Sequence, residues 1–82
     1  MIFVLQYIPI AIQPNGRRWI NGENVTLRRG LLTWNVKVVC STGLPRFSAG
    51  WNQFTTNNEL EKDDTLVFTF HQEDLIFDIV IE

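Results

Sequence analysis

Polar and apolar residues alternate along most of this chain with a period of two. In "LTWNVKVV", Trp34, Val36 and Val38 fall on one side, Asn35 and Lys37 on the other. "TLVFTF" sets Leu66, Phe68 and Phe70 against Val67 and Thr69. The last residues set Phe77, Ile79 and Ile81 against Asp78, Val80 and Glu82. "NVTLR" is a shorter example, with Val25 and Leu27 inward. Successive side chains of a strand point to opposite faces, so each run predicts a strand with one buried face. Between the runs, "PNG", "NGEN", "RRG" and "STGLP" supply turn residues. Short strands joined by such turns predict a mostly β domain, an antiparallel sheet closing toward a barrel.

One stretch, "GWNQFTTNNELEKDD", breaks the period. Trp51 and Phe54 lie three apart, on one face of a helix. Ser48 is placed to cap its start by accepting a backbone N–H, and residues 55–58 are poor helix formers that stop it early. A helix of about two turns has no stability of its own. Its aromatics must therefore plug an open end of the barrel, with Leu60 continuing the plug. Asp63 and Asp64 then form the turn into the next strand, since aspartate bonds the backbone N–H groups of such turns.

Composition narrows the class. The chain has 82 residues, 45% of them hydrophobic, enough for one folded domain over residues 1–82. A single cysteine, Cys40, excludes an internal disulfide and a multi-cysteine metal site, and points to an intracellular protein with Cys40 as a small buried or strand-end residue. The apolar opening "MIFVLQYIPIAI" lacks a cationic leader and is far shorter than the roughly 20 residues of a membrane span. It reads as strand, and no membrane role follows. Net charge is −2, but residues 1–55 hold six cations against Glu23 alone, while residues 56–82 hold Lys62 against eight carboxylates. Such a chain can present a basic face while acidic overall.

Gly50, Trp51, Phe54, Asn58, Leu60 and Asp64, leading into "LVFTF", resemble the signature of the plant B3 DNA-binding domain. "YIPIAI" is similar to the family's early Ile-Pro element, and "VTLRRGLLTWNVKV" to its central strand pair with a tryptophan. The match covers residues 7–81 and most resembles the reproductive-meristem branch. It implies a seven-stranded open barrel, the DNA-binding pseudobarrel, with two short helices and two arms that grip the DNA major groove. It also implies a nuclear transcription-factor module. The second arm maps to residues 40–46, "CSTGLPR", where Ser41, Thr42 and Arg46 suit base and phosphate contacts. Three departures stand out. Residues 1–6 are too short to supply both a first strand and an arm, so a barrel one strand short is expected unless they fold back as a shortened strand. Pro14 and Gly16 interrupt the helix expected after Ile-Pro. The family's Gly-Asp turn reads Asp63-Asp64, which is costly if that turn needs φ > 0.

The candidate DNA contacts are therefore Arg17 and Arg18 after "PNG", Lys37 on the outward face of its strand, and Ser41, Thr42 and Arg46 in the arm, with Arg28 and Arg29 as further cations. Trp19 reads as a packing residue. His71, the only histidine, falls on an outward face with no nucleophile or ligand cluster around it, and Asp63-Asp64 has no third ligand at a recognisable spacing. No enzyme, cofactor or small-molecule substrate is expected. The expected partner is double-stranded DNA. The alternative is a degenerate module of the same fold that binds protein or forms a homodimer through an exposed strand edge.

Overall fold

The computed structural model of the chain describes residues 2–3, 7–8, 12–40, 44–61 and 63–82. Among these, six strands form one sheet: β1 (Ile2–Phe3), β2 (Glu23–Arg29), β3 (Leu32–Val39), β4 (Arg46–Phe47), β5 (Leu66–His71) and β6 (Ile76–Ile81). Their order is β1-β5-β6-β2-β3-β4, antiparallel except where β2 meets β6. A 3-10 turn (Pro14–Gly16) and one helix, α1 (Trp51–Asn57), complete the set. The fold is mostly β, as the alternation predicts.

The sheet is curled. Phe47 of β4 and Phe68 of β5 stand four strands apart in the sheet order, about 19 Å if it were flat. Their ring centroids are 6.1 Å apart. Residues near the start of the chain reach both margins of the same sheet. Ile2 and Phe3 pair with Val67 and Leu66 on β5, whereas Tyr7 bridges Arg46 on β4 and the Ile8 N–H donates to the Pro45 carbonyl at 2.9 Å. Four residues span about 14 Å at most, so the two margins must approach. Ile2–Phe3 thus covers the Leu66–Val67 end of the outer margin of β5.

The inward positions are those the alternation picks out. Val25, Leu27, Val36, Val38, Leu66, Phe68, Phe77 and Ile79 are all buried, and the described residues include no buried polar or charged side chain. Phe77 lies edge-on to Phe47 at 5.4 Å and stacks on Phe70 at 4.5 Å. Trp19 closes one end of this interior against Phe70 and donates its indole N–H to the Ile12 carbonyl, so it is a packing residue.

At the other end sits α1. Phe54 is fully buried, while Trp51 is half-buried and stacks on Phe47 at 5.2 Å. Leu60 packs against the same cluster. The helix start differs from the expected serine cap: Gly50 is the N-cap, at φ 95°, and Ser48 contributes its carbonyl to the Trp51 N–H. The reason is space. Ser48 and Ala49 extend the pairing with Lys37, which drives Gly50 against β3, where a Cβ would lie 2.2 Å from the Asn35 carbonyl oxygen. The Asp63-Asp64 turn needs no left-handed residue. Asp64 accepts the Glu61 N–H at 2.8 Å, and among the described residues the positive φ values at non-glycine positions fall instead on Glu59 and Leu75.

Two outcomes test this packing. Phe54→Ala should cost ~3–5 kcal/mol, because a fully buried ring leaves a cavity, and Trp51→Ala should cost less. Gly50→Ala should cost more than the roughly 1 kcal/mol of left-handed strain alone, because the backbone of β3 blocks the added methyl. Urea unfolding midpoints of the three variants give this order; an Ala at position 50 that leaves the midpoint unchanged contradicts the close approach.

Candidate nucleic-acid interface

The strands carry the candidate cations to definite places. β3 is the guide: it runs from the Gly30–Leu31 turn at one end of the barrel to Cys40 at the other. At the Cys40 end, the Cys40 N–H donates to Asn21 Oδ1 at 2.9 Å, and Cys40 Sγ lies 3.7 Å from the Trp19 carbonyl oxygen. Residues 17–21 are thereby held against the root of the segment 40–46. Arg46, the first residue of β4, pairs with Val39 and is outward because Phe47 beside it is buried. Lys37 is exposed on the same outer face, two residues before Val39. Such diagonal neighbours across an antiparallel pair lie about 7–8 Å apart.

Of the predicted contacts, Arg17, Arg18, Lys37 and Arg46 are described and gather toward this end. Ser41 and Thr42 lie outside the described residues. The four cations differ in freedom. Arg17 forms an ion pair with Glu23, one of whose hydrogen bonds measures 3.1 Å, and Glu23 Oε1 also accepts the Ile20 N–H at 3.1 Å. The hydrogen bond raises the Arg17 pKa and lowers that of Glu23. A phosphate at Arg17 must compete with a carboxylate already in place. Arg18, Lys37 and Arg46 have no side-chain ion pair among the described residues. Two acidic residues, Glu73 and Asp74, occupy the β5–β6 turn, which flanks β2 where the Thr26 N–H bonds the Leu75 carbonyl.

The remaining arginines are committed elsewhere. Arg28 faces outward and donates two hydrogen bonds to Asp78, one of 2.8 Å to Oδ2, and His71 Nε2 sits 2.7 Å from that same Oδ2. Arg29 donates to Asn58 Oδ1 at 2.8 Å beside α1. His71 is exposed as expected, but its aspartate partner was missed; His71 and Asp78 are diagonal neighbours across β5 and β6, a relation that only the register reveals. Also missed were three exposed apolar side chains at the Cys40 end: Tyr7, Ile20 and Leu44. Their signal in the sequence is indistinguishable from that of core residues. No group of three potential metal ligands is assembled among the described residues.

The Arg28 guanidinium, with burial opposing and His71 assisting, lowers the Asp78 carboxyl from 3.8 to about 2. A depressed carboxylate stabilises the fold above its ordinary pKa and loses that contribution as pH falls through the folded value. The wild type should therefore lose stability between about pH 4 and pH 2, by a small amount because the group is partly exposed. Asp78→Asn should flatten that interval. Urea midpoints measured across it would oppose the assignment if both proteins followed one curve.

No family model matches the chain, and no curated protein does either.

Proposed function

We propose that this domain binds double-stranded DNA as a module of a nuclear transcription factor, in the manner of the plant B3 domains that its sequence resembles. One observation supports this above the others. The hydrogen bond from the Cys40 N–H to Asn21 Oδ1 ties the loop that carries the candidate cations Arg17 and Arg18 to the root of the segment 40–46 that the resemblance assigns to DNA, at one end of a curled sheet. On this reading β1 (Ile2–Phe3) and the Tyr7 bridge stand for the first two strands of the seven-stranded pseudobarrel, and the segment between them is too short to form the first arm. Binding then rests on the remaining arm. Arg18, Lys37 and Arg46 neutralise phosphates, and the hydroxyls of Ser41 and Thr42 are of the type that suits base and phosphate contacts in the major groove.

The second reading, a module of the same fold that binds protein in place of DNA, is favoured by the exposed Tyr7, Ile20 and Leu44 among those cations. Neither reading involves a catalytic group, a cofactor or a small-molecule substrate.

Salt dependence separates the two. Each neutralised phosphate contributes a slope of about −0.9 to log K against log salt, so three contacts should give about −2.7. Arg18→Ala, Lys37→Ala and Arg46→Ala should each reduce the slope by about one. Arg17→Ala should change it less, since Glu23 already compensates that charge. Mobility-shift titrations at several salt concentrations read these slopes; no binding to duplex DNA at low salt would replace the first reading with the second.

A further inference from the structure

Glu23 is the only carboxylate among the first 55 residues, and it closes the loop that carries Arg17 and Arg18. An acid beside cations that meet phosphate should only weaken their binding. Its contacts point elsewhere. Glu23 Oε1 accepts both Arg17 Nη1 and the Ile20 N–H, each at 3.1 Å, and Oε2 accepts Arg17 Nη2. The Glu23 side chain keeps 12% of its surface exposed, against 42% for Arg17. A bidentate, charge-assisted pair of this kind fixes geometry as well as charge.

The same guanidinium reaches one residue further. Arg17 Nη1 also donates to the Arg18 carbonyl at 3.1 Å, so the backbone of Arg18 is tied to the carboxylate through Arg17. The Glu23 N–H donates back to the Ile20 carbonyl at 3.0 Å, which closes the turn 20–23. Within that turn the Gly22 N–H donates to the Val38 carbonyl at 2.7 Å, and Asn21 Oδ1 accepts the Cys40 N–H. Residues 17–23 are therefore folded around one carboxylate and pinned to the end of β3. Trp19 in their midst is buried, while Arg18 beside it is exposed. A side chain presented from a held loop loses less conformational freedom on binding than one on a loose loop.

We infer that Glu23 is a positioning residue of the DNA-binding surface: by holding Arg17 and the Ile20 N–H, it presents Arg18 to phosphate beside the segment 40–46. The inference rests on the DNA reading above, and it reverses the sign that charge counting gives. A carboxylate acting only through space repels phosphate, an effect that salt screens, so its removal tightens binding. A carboxylate acting through the loop does the opposite, because its removal releases Arg18. Arg17 is then a strut between Glu23 and the Arg18 carbonyl rather than a phosphate contact. Glutamine at position 23 can still accept the Ile20 N–H but offers Arg17 a neutral partner, so it keeps part of this order.

Titrations of duplex DNA over a range of salt test this with the wild type, Glu23→Ala and Glu23→Gln, each with and without Arg18→Ala. Glu23→Ala should bind about fivefold to tenfold more weakly at about 0.1 M salt and lose about 0.9 from the salt slope, the share of one phosphate contact. Glu23→Gln should fall between it and the wild type. Arg18→Ala should lose little more in the Glu23→Ala background. Lys37→Ala and Arg46→Ala, carried by β3 and β4, should lose as much there as in the wild type. Those full losses also show that the Glu23→Ala barrel is folded. Tighter binding by Glu23→Ala, an unchanged slope, or equal losses from Arg18→Ala in both backgrounds would overturn the inference and leave the DNA reading in place. A wild type that binds no duplex at low salt would overturn both.

Discussion

The contact of Phe47 with Phe68 and Phe77 is the constraint from which the rest of the architecture follows. These rings come from β4 at one margin of the sheet and from the neighbouring β5 and β6, four and three strands away, and they meet at centroid distances of 5.4 to 6.1 Å. A sheet can bring them together only by wrapping around them. Once wrapped, it has an interior with two mouths, and an 82-residue chain must seal both with what it has. Trp19 seals one by leaning on Phe70 and Phe77; α1 seals the other with Phe54 and Trp51. The position of the Cys40 end, and of every cation near it, is inherited from that wrapping.

The long strands were legible because alternation is a physical record of burial. β2, β3, β5 and β6 each run for six to eight residues, and over that length a one-sided pattern has no other economical explanation. β1 and β4 have two residues each, too few to show any period. The helix was legible through Trp51 and Phe54, but its start was misread. Ser48 is a good capping residue by type; the choice of Gly50 depends on how close β3 comes, which no local signal encodes. Tertiary proximity also decided the aspartate turn, whose conformation turned out to be ordinary for a non-glycine residue.

Of the candidate interface, four cations could be named from the sequence, but not their state. The division of the chain into a basic first part and an acidic second part does not survive folding. Arg28 is tied to Asp78 from the far side of that division, Arg17 is held by the one acid of its own half, and Glu73 with Asp74 return to the β2 flank. Pairing of that kind depends on strand register, so a charge count along the chain overstates the contrast between surfaces. Of the candidate contacts among the described residues, Arg18, Lys37 and Arg46 keep no ion pair; β3–β4 pairing brings Lys37 and Arg46 together, and Asn21 bonding Cys40 brings up the segment that carries Arg18.

The pairing of Ile2–Phe3 with β5 has a consequence in time. About 65 residues of chain separate the two partners, and about 50 separate β2 from β6. Contacts that distant require most of the loop-closure entropy to be lost before they form, which places such a domain among slow folders. During synthesis β1 waits for about 65 further residues before its partner exists. Through that interval its apolar residues stand uncovered, with only Pro9 to discourage pairing with another nascent chain.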